Sequence, residues 1–377
     1  MTAYVSGVAV TPFGKLPGRD SLDLQIAAAE DAVDDAQADP ADIDALIVGY
    51  STVLNHLMPA DLFAERFGIR PPIAFGFSSG GATGLAMLVH AVRLVGAGEA
   101  RTVLIAAGEN RATGISSLEA TAVLAQVGHP DYEVPLGATV PAYYGLLASR
   151  YLWSFGLPDD ALAPLSVQMR AHAVGTAGAQ FREPITVADV LASRMVASPL
   201  HLLECCPVSD GGAAFVVTAM PGQRSVEVAG IGEAHRHQHL SMLDMTNTGA
   251  RTAAERAFAG TGLALADVDV FGIYDSFSVT VAMIMEEIGM VPAGKSGAYA
   301  RAGGFDLDGR YPMNTHGGLL SYGHCGVGGG MAHVAEVVTQ LRGERGAAQV
   351  PGASVGYVHA DGGVLSSHAT AVLRGIR

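Results

Sequence analysis

Residues 39–51, DPADIDALIVGYS, have a second version at 265–277, LADVDVFGIYDSF. In register, Asp42 falls on Asp267, Asp44 on Asp269 and Gly49 on Tyr274. Each copy runs from alternating aspartates into a short apolar, β-branched segment, which reads as a strand buried on both faces. The likeness extends outward. Upstream, the alternating residues 3–10 have a counterpart in SVEVAGIG (225–232), and the helical pattern from Ser21, a candidate cap, has one at 249–259. Leu22, Ile26, Ala29 and Val33 fall on one face of that first helix. Downstream, the glycines at 80–84 open a helix, as those at 326–330 open a helix over 331–342. The apolar TVLIAAGEN (102–110) then matches ASVGYVHADGG (353–363).

Two copies of strand–helix–strand–helix–strand predict an α/β core built by duplication, with right-handed crossovers and a pseudo-two-fold axis. Strand-to-helix loops from the two copies then face one another, where a site can form. Between the copies the pattern loosens over 111–200, with helices expected near 142–155, 159–174 and 187–193. That stretch reads as a lid over a pocket, and a buried strand returns at 213–219. The expected division is an N-terminal half (1–110 with 198–222), a lid insertion (111–197) and a C-terminal half (223–377).

A chain of 377 residues with 49% hydrophobic and only 15% charged residues suits such a layered core. A net charge of −14 argues against nucleic acid as the main partner. Three cysteines make no disulfide framework and have no zinc-type spacing, so no metal site is expected. The opening MTAYVSGVAVTPFGK lacks the features of a signal peptide, and no apolar run of about 20 residues is present to span a bilayer. A cytoplasmic protein is expected.

The chemistry concentrates in NTHGGLLSYGHCGVGGGM (314–331), where seven glycines surround His316, Tyr322, His324 and Cys325 just before a helix. Glycines admit close backbone approach, and a helix start offers free N–H groups. Histidine is the side chain most readily tuned for proton transfer near neutrality.

Together, SSGGATGLAM (78–87), CCPVSDGGAAFVV (205–217), YDSFS (274–278), THGGLLSYGHCGVGGG (315–330) and HADGGVLSSHAT (359–370) resemble the thiolase superfamily, in its sterol-carrier-protein-2 thiolase-like or lipid-transfer-protein branch. The resemblance runs nearly end to end. It implies a five-layer αβαβα duplication, usually dimeric, acting on coenzyme A thioesters, with coenzyme A part of the substrate and no tightly bound cofactor. It also exposes departures. Where the family carries its acylated cysteine this chain has Phe77-Ser78-Ser79-Gly80, and the family's second cysteine falls in Ala360-Asp361-Gly362-Gly363, also without sulfur. The histidine of the family's GHP motif is kept as His324, followed by Cys325, and Tyr274 stands where an oxyanion-hole His or Asn often sits. This pattern resembles thiolase-like aldolases of steroid side-chain degradation, which carry the YD-x-F tyrosine, matched by Tyr274, and the NTHGG segment that brings in His316. Those enzymes have a second tyrosine where this chain has His324. They typically pair with a small OB-fold and zinc-ribbon (DUF35-type) protein, and such a partner is expected here.

Retro-aldol cleavage needs a base for the β-hydroxyl proton and stabilisation of the thioester enolate. His324 is the candidate base, or else part of an oxyanion hole, and its bland reading is a core histidine in a turn. By family analogy Tyr274 bonds the thioester oxygen or exchanges a proton. Asp275 orients its loop, and backbone N–H groups at Gly362 and Gly363 are further oxyanion donors. Cys325 is the candidate thiol nucleophile, and Ser78 is either an acyl acceptor or a helix cap. Cys205-Cys206 reads as packing. HRHQH (235–239) reads as three histidines on one face of a strand. Three functions compete: a lyase without a cysteine acyl-enzyme, an acyltransferase using Ser78 or Cys325, and a non-catalytic acyl-CoA-binding subunit.

Overall fold

The computed structural model describes residues 1–376. The first copy of the repeat contributes β1 (Ala3–Val10), α1 (Ser21–Ala36), β2 (Ala45–Gly49), α2 (Pro59–Phe67), β3 (Ile73–Phe77), α3 (Thr83–Ala97) and β4 (Thr102–Asn110). An excursion follows: α4 (Arg111–Gly114), α5 (Ser117–Ala125), α6 (Val140–Phe155), α7 (Ala163–Val174), α8 (Val187–Ala192) and a small hairpin of β5 (Met195–Ala197) and β6 (Leu200–His201). The chain returns through β7 (Asp210–Thr218) to β8 (Val226–His235), α9 (Ala250–Phe258) and β9 (Val270–Ile273). It ends with α10 (Ser278–Glu287), α11 (Ser296–Arg301), α12 (Gly318–Ser321), α13 (Val327–Leu341), β10 (Val355–Gly362) and β11 (Ser367–Gly375).

Among the described residues the principal sheet has nine strands in the order β3-β2-β4-β7-β1-β8-β11-β10-β9. Read from its centre the order is symmetric, with β1, β7, β4, β2 and β3 on one side and β8, β11, β10 and β9 on the other. The missing fifth strand is reduced to a parallel bridge from Phe271 to Met313, flanked by Phe271 N–H to Pro312 carbonyl at 2.8 Å and Asn314 N–H to Phe271 carbonyl at 2.9 Å. The two sides join where Ala3–Val5 pairs antiparallel with Val226–Val228.

The repeated aspartates explain why the motif occurs twice. Asp44 Oδ2 accepts N–H bonds from Arg101 (2.7 Å) and Thr102 (3.1 Å), holding the start of β4 against β2. Asp269 Oδ2 does the same for β10, accepting from Ser354 N–H (2.8 Å) and Val355 N–H (2.9 Å).

The helices α3 and α13 touch one another and strands on both sides of the sheet, so they form a central layer. Against the outer faces, α1 packs on β1, β4 and β7, and α9 on β8 and β11. This is the expected αβαβα arrangement. The apolar stretch Gly80–Ala97 is long enough to suit a bilayer by length and composition alone, but here it includes α3, whose apolarity serves burial between two sheet faces.

Local expectations needed correction where side chains compete for one role. Asp20, not Ser21, caps α1, with its side chain accepting from Asp23 N–H in a capping box, while the Ser21 hydroxyl bonds Asn110. The buried face of α1 includes Ala29 and Val33 as expected and extends over Leu24, Ala28 and Ala32, with Leu22 and Ile26 half-buried against the same core. The three histidines of HRHQH do not share a strand face, because β8 ends at His235; His237 turns inward to the Val364 carbonyl and His239 lies tilted against His129.

Candidate active site

Tyr274 follows directly on β9, and the strand end is clamped from the glycine-rich loop. The Asn314 side chain accepts from Ile273 N–H and donates to the Ile273 carbonyl, both at 2.8 Å. The buried Asp275 carboxylate accepts from Leu319 N–H (2.7 Å) and Leu320 N–H (3.3 Å), fixing α12 below it. His324 is held by Ser209, whose hydroxyl accepts from His324 N–H (3.0 Å) and whose N–H donates to the His324 carbonyl (3.1 Å). These anchors bring Tyr274 Oη and His324 Nε2 to 2.9 Å.

The direction of that bond follows from the other ring nitrogen. His324 Nδ1 lies 3.2 Å from the Gly326 N–H and accepts from it, so a neutral ring carries its proton on Nε2. His324 therefore donates to the phenol oxygen, and the phenol keeps its own proton for a group in the cavity. The electrostatics agree. Burial, and then the Arg111 guanidinium, push the His324 pKa down to about 3. Burial, with Cys206 and Asp361 nearby, holds the Tyr274 hydroxyl well above its ordinary value. Arg111 is itself buried and paired with Glu109, Nε to Oε2 at 2.9 Å.

Both side chains line an inner cavity of about 200 Å³, along with Tyr50, Arg111, Tyr144, Cys206 and Asp361. An outer cavity of about 460 Å³ adjoins it through Tyr50, Gly80, Leu124, Val127 and Gly363. Residues of α5 and α6 roof the inner space: Leu124, Val140, Pro141 and Tyr144. The wall between the halves is glycine on both sides. A Cβ on Gly80 would lie 2.8 Å from Gly363 N, and one on Gly362 would collide with the Ser79 carbonyl. The facing loops can approach this closely only without side chains.

The remaining expected residues divide. Gly362 and Ser78 line the outer cavity, and Gly363 lines both. Ser78 does not cap α3; the cap residue is Ala82, and the Thr83 hydroxyl accepts from Ser79 N–H instead. Cys325 does not line the inner cavity. Its side chain packs with Phe13 and Tyr322, and burial drives its thiol pKa upward, away from the thiolate. His316 is buried against Tyr322 and His333 and does not line it either. Cys206, read as packing, reaches the cavity, with its thiol pKa also raised by burial. Sequence reasoning missed Tyr50, Arg111, Tyr144 and Asp361. Asp361 alone left a signal, as the polar residue in the loop where the family's second cysteine is absent.

Residues 232–375 match the family model described as thiolase C-terminal domain-like. An acetyl-CoA acetyltransferase of Methanothermobacter thermautotrophicus is 32% identical over 373 residues, spanning 95% of this chain and 96% of that protein. The chain belongs to the thiolase superfamily, in its sterol-carrier-protein-2-like branch. A 17-hydroxy-3-oxo-4-pregnene-20-carboxyl-CoA lyase of Mycobacterium tuberculosis is 30% identical, over 90% of this chain and 92% of that protein. The solved structure of an Ltp2-ChsH2(DUF35) aldolase superposes with a TM-score of 0.84 at 27% identity, covering 100% of this chain and 98% of that one. The protein is an enzyme of this thiolase-like group, whose members include both lyases and acyltransferases.

Proposed function

We propose that this thiolase-like enzyme breaks, or in reverse forms, a carbon–carbon bond beside the carbonyl of a coenzyme A thioester, by retro-aldol or Claisen-type chemistry, with no cysteine acyl-enzyme. The observation that carries this reading is the 2.9 Å bond from His324 Nε2 to Tyr274 Oη at the inner cavity. A phenol that receives one hydrogen bond and keeps its own proton is a donor suited to a thioester oxygen as it becomes an enolate. One preorganised donor of this kind contributes on the order of 10²–10³ in rate. His324 then acts through the phenol as part of an oxyanion hole, the second of the two roles its sequence allowed. Acyl transfer through Cys325 or Ser78 has less support, since neither side chain lines that cavity.

The acyl-CoA ester itself brings the coenzyme A, so no resident cofactor or metal enters the reading. A homodimer, and a complex with a small OB-fold and zinc-ribbon protein of the DUF35 type, belong to the same proposal, and the aldolase named above supports the latter. The test is to co-express the chain with such a partner and offer a panel of β-hydroxyacyl- and β-ketoacyl-CoA esters. Mass spectrometry should find a shortened CoA ester with an aldehyde or ketone from a β-hydroxyacyl ester, or two acyl-CoA esters from a β-ketoacyl ester supplied with free CoA, and an intact protein mass that does not change during turnover. Acyl mass on Cys206, Cys325 or Ser78 during turnover would overturn the reading.

A further inference from the structure

The pair at the centre of the site has no base. His324 carries its proton on the nitrogen that faces Tyr274, and its other nitrogen is taken by Gly326 N–H. The Arg111 guanidinium is a cation held by Glu109. Glu109 does not line the inner cavity, and its oxygens accept from Arg111 Nε, Thr52 N–H and the Thr52 hydroxyl. Asp275 does not line it either, being used by α12. Among the described residues lining that cavity, Asp361 carries the only carboxyl group.

Asp361 sits near the end of β10, just before Gly362-Gly363, and is 1% exposed. Its Oδ2 faces Tyr144 Oη at 3.1 Å, but that phenol also lies 3.2 Å from the Gly363 carbonyl, so one proton serves two acceptors. Its Oδ1 is buried without a well-formed hydrogen bond, the Leu365 and Gly362 backbone N–H groups being the donors beside the carboxyl. A buried carboxyl oxygen left without a well-formed bond at the edge of a cavity calls for an explanation, and an acid–base role is one. The Asp361 carboxyl is close enough for its charge to act on the Tyr274 hydroxyl, and Gly81 packs against both residues: a Cβ there would collide with Tyr274 Oη and with the Asp361 backbone carbonyl oxygen.

We propose that Asp361 is the acid–base residue of the reaction, taking the proton of the substrate's β-hydroxyl and returning it to the α-carbon. In the retro-aldol direction the Asp361 carboxylate accepts the hydroxyl proton, the oxygen's electron pair forms the new carbonyl, and the bond between the α- and β-carbons breaks. Its electron pair passes into the thioester enolate, whose oxygen is held by the Tyr274 hydroxyl. The α-carbon then takes the proton from the Asp361 carboxylic acid, which restores the carboxylate, so no proton is gained or lost. Burial holds the Asp361 pKa well above the ordinary carboxylate range, which makes its ionised form a stronger base than an exposed aspartate.

The inference rests on the lyase reading for its first step, whereas the return of the proton can be tested without it. The enzyme is incubated in D2O with propionyl-CoA, and deuterium at the α-carbon is followed by mass spectrometry beside cleavage of β-hydroxyacyl-CoA esters. The parent should exchange, and Asp361→Asn, which keeps the shape and an acceptor for Tyr144, should slow exchange and kcat by on the order of a hundredfold with KM nearly unchanged. If the Asn variant does not fold, Asp361→Ala should regain exchange when formate supplies the missing carboxylate. A parent that does not exchange, an Asn or Ala variant that exchanges at the parental rate, or a folded Ala variant that formate does not restore overturns the assignment. Exchange that depends on Asp361 without any cleavage overturns the lyase reading, and with it the β-hydroxyl step, and leaves Asp361 as the residue that exchanges the α-carbon proton.

Discussion

At the scale of single residues, the site depends on small distances set by glycine. Gly81 has Tyr274 Oη and the Asp361 carbonyl on one side, so Gly81→Ala would push the phenol away from its place. That variant should keep its circular-dichroism spectrum and lose most of its turnover, and a fully active Gly81→Ala enzyme would show that the phenol's position is unimportant. Tyr274→Phe removes the donor but not the ring. Its expected effect is a fall in kcat on the order of 10²–10³ with KM changed little, because the hydroxyl is used chiefly as charge develops. Equal losses in kcat and in affinity for the CoA ester would instead mark Tyr274 as a binding residue. His324 was singled out by the glycine-rich loop around it, and Tyr274 by the resemblance of YDSF to the family's YD-x-F tyrosine. Their hydrogen-bond direction was not legible in the sequence, since it depends on Gly326 N–H turning back onto His324 Nδ1. Cys325 shows the opposite failure: adjacent in sequence to His324, it points into a packed cluster with Phe13 and Tyr322.

At the scale of elements, the twin aspartates are the features that sew neighbouring strands together. Asp44 and Asp269 each gather two backbone N–H groups at the start of the next strand. Replacing either by alanine leaves those donors without the acceptor and should cost about 1–3 kcal/mol. Urea denaturation should show similar losses for Asp44→Ala and Asp269→Ala, with activity per folded molecule retained. A loss confined to one of them would mean the two copies are not braced in the same way. The repeat made these elements readable, down to the helix and strand that follow each glycine-rich loop. It did not reveal that the fifth strand of the second copy shrinks to a bridge at Met313. That outcome rests on pairing between segments about 40 residues apart, Phe271 with Met313.

At the scale of the whole molecule, burying a neutral histidine couples stability to pH. Burial lowers the pKa of His316, His324, His359 and His368, with His324 near 3 and His368 near 4. Below about 6.5 the unfolded chain protonates these rings and the folded protein does not, so stability falls as acid is added. The buried acids Asp361 and Glu204, whose pKa values are raised, act in the opposite sense over part of that range, but they are fewer. Thermal melts should give a Tm that declines steadily from pH 7 to pH 4.5. A Tm that rises on acidification would mean that these rings are charged in the fold.

The amino-acid sequence by itself determined the doubled α/β plan, because each copy writes its strand and helix periods into short stretches that local chemistry makes readable. Its resemblance to the thiolases further implied that no cysteine stands where they are acylated, since Phe77-Ser78-Ser79-Gly80 falls there. Only the tertiary structure decided which polar groups share the inner cavity. Tyr50, Arg111, Tyr144, Tyr274, His324 and Asp361 come from both ends of the chain, and they meet because two sheet halves close over α3 and α13. Contact among groups so distant in sequence is set by how buried faces stack, and no local pattern records it.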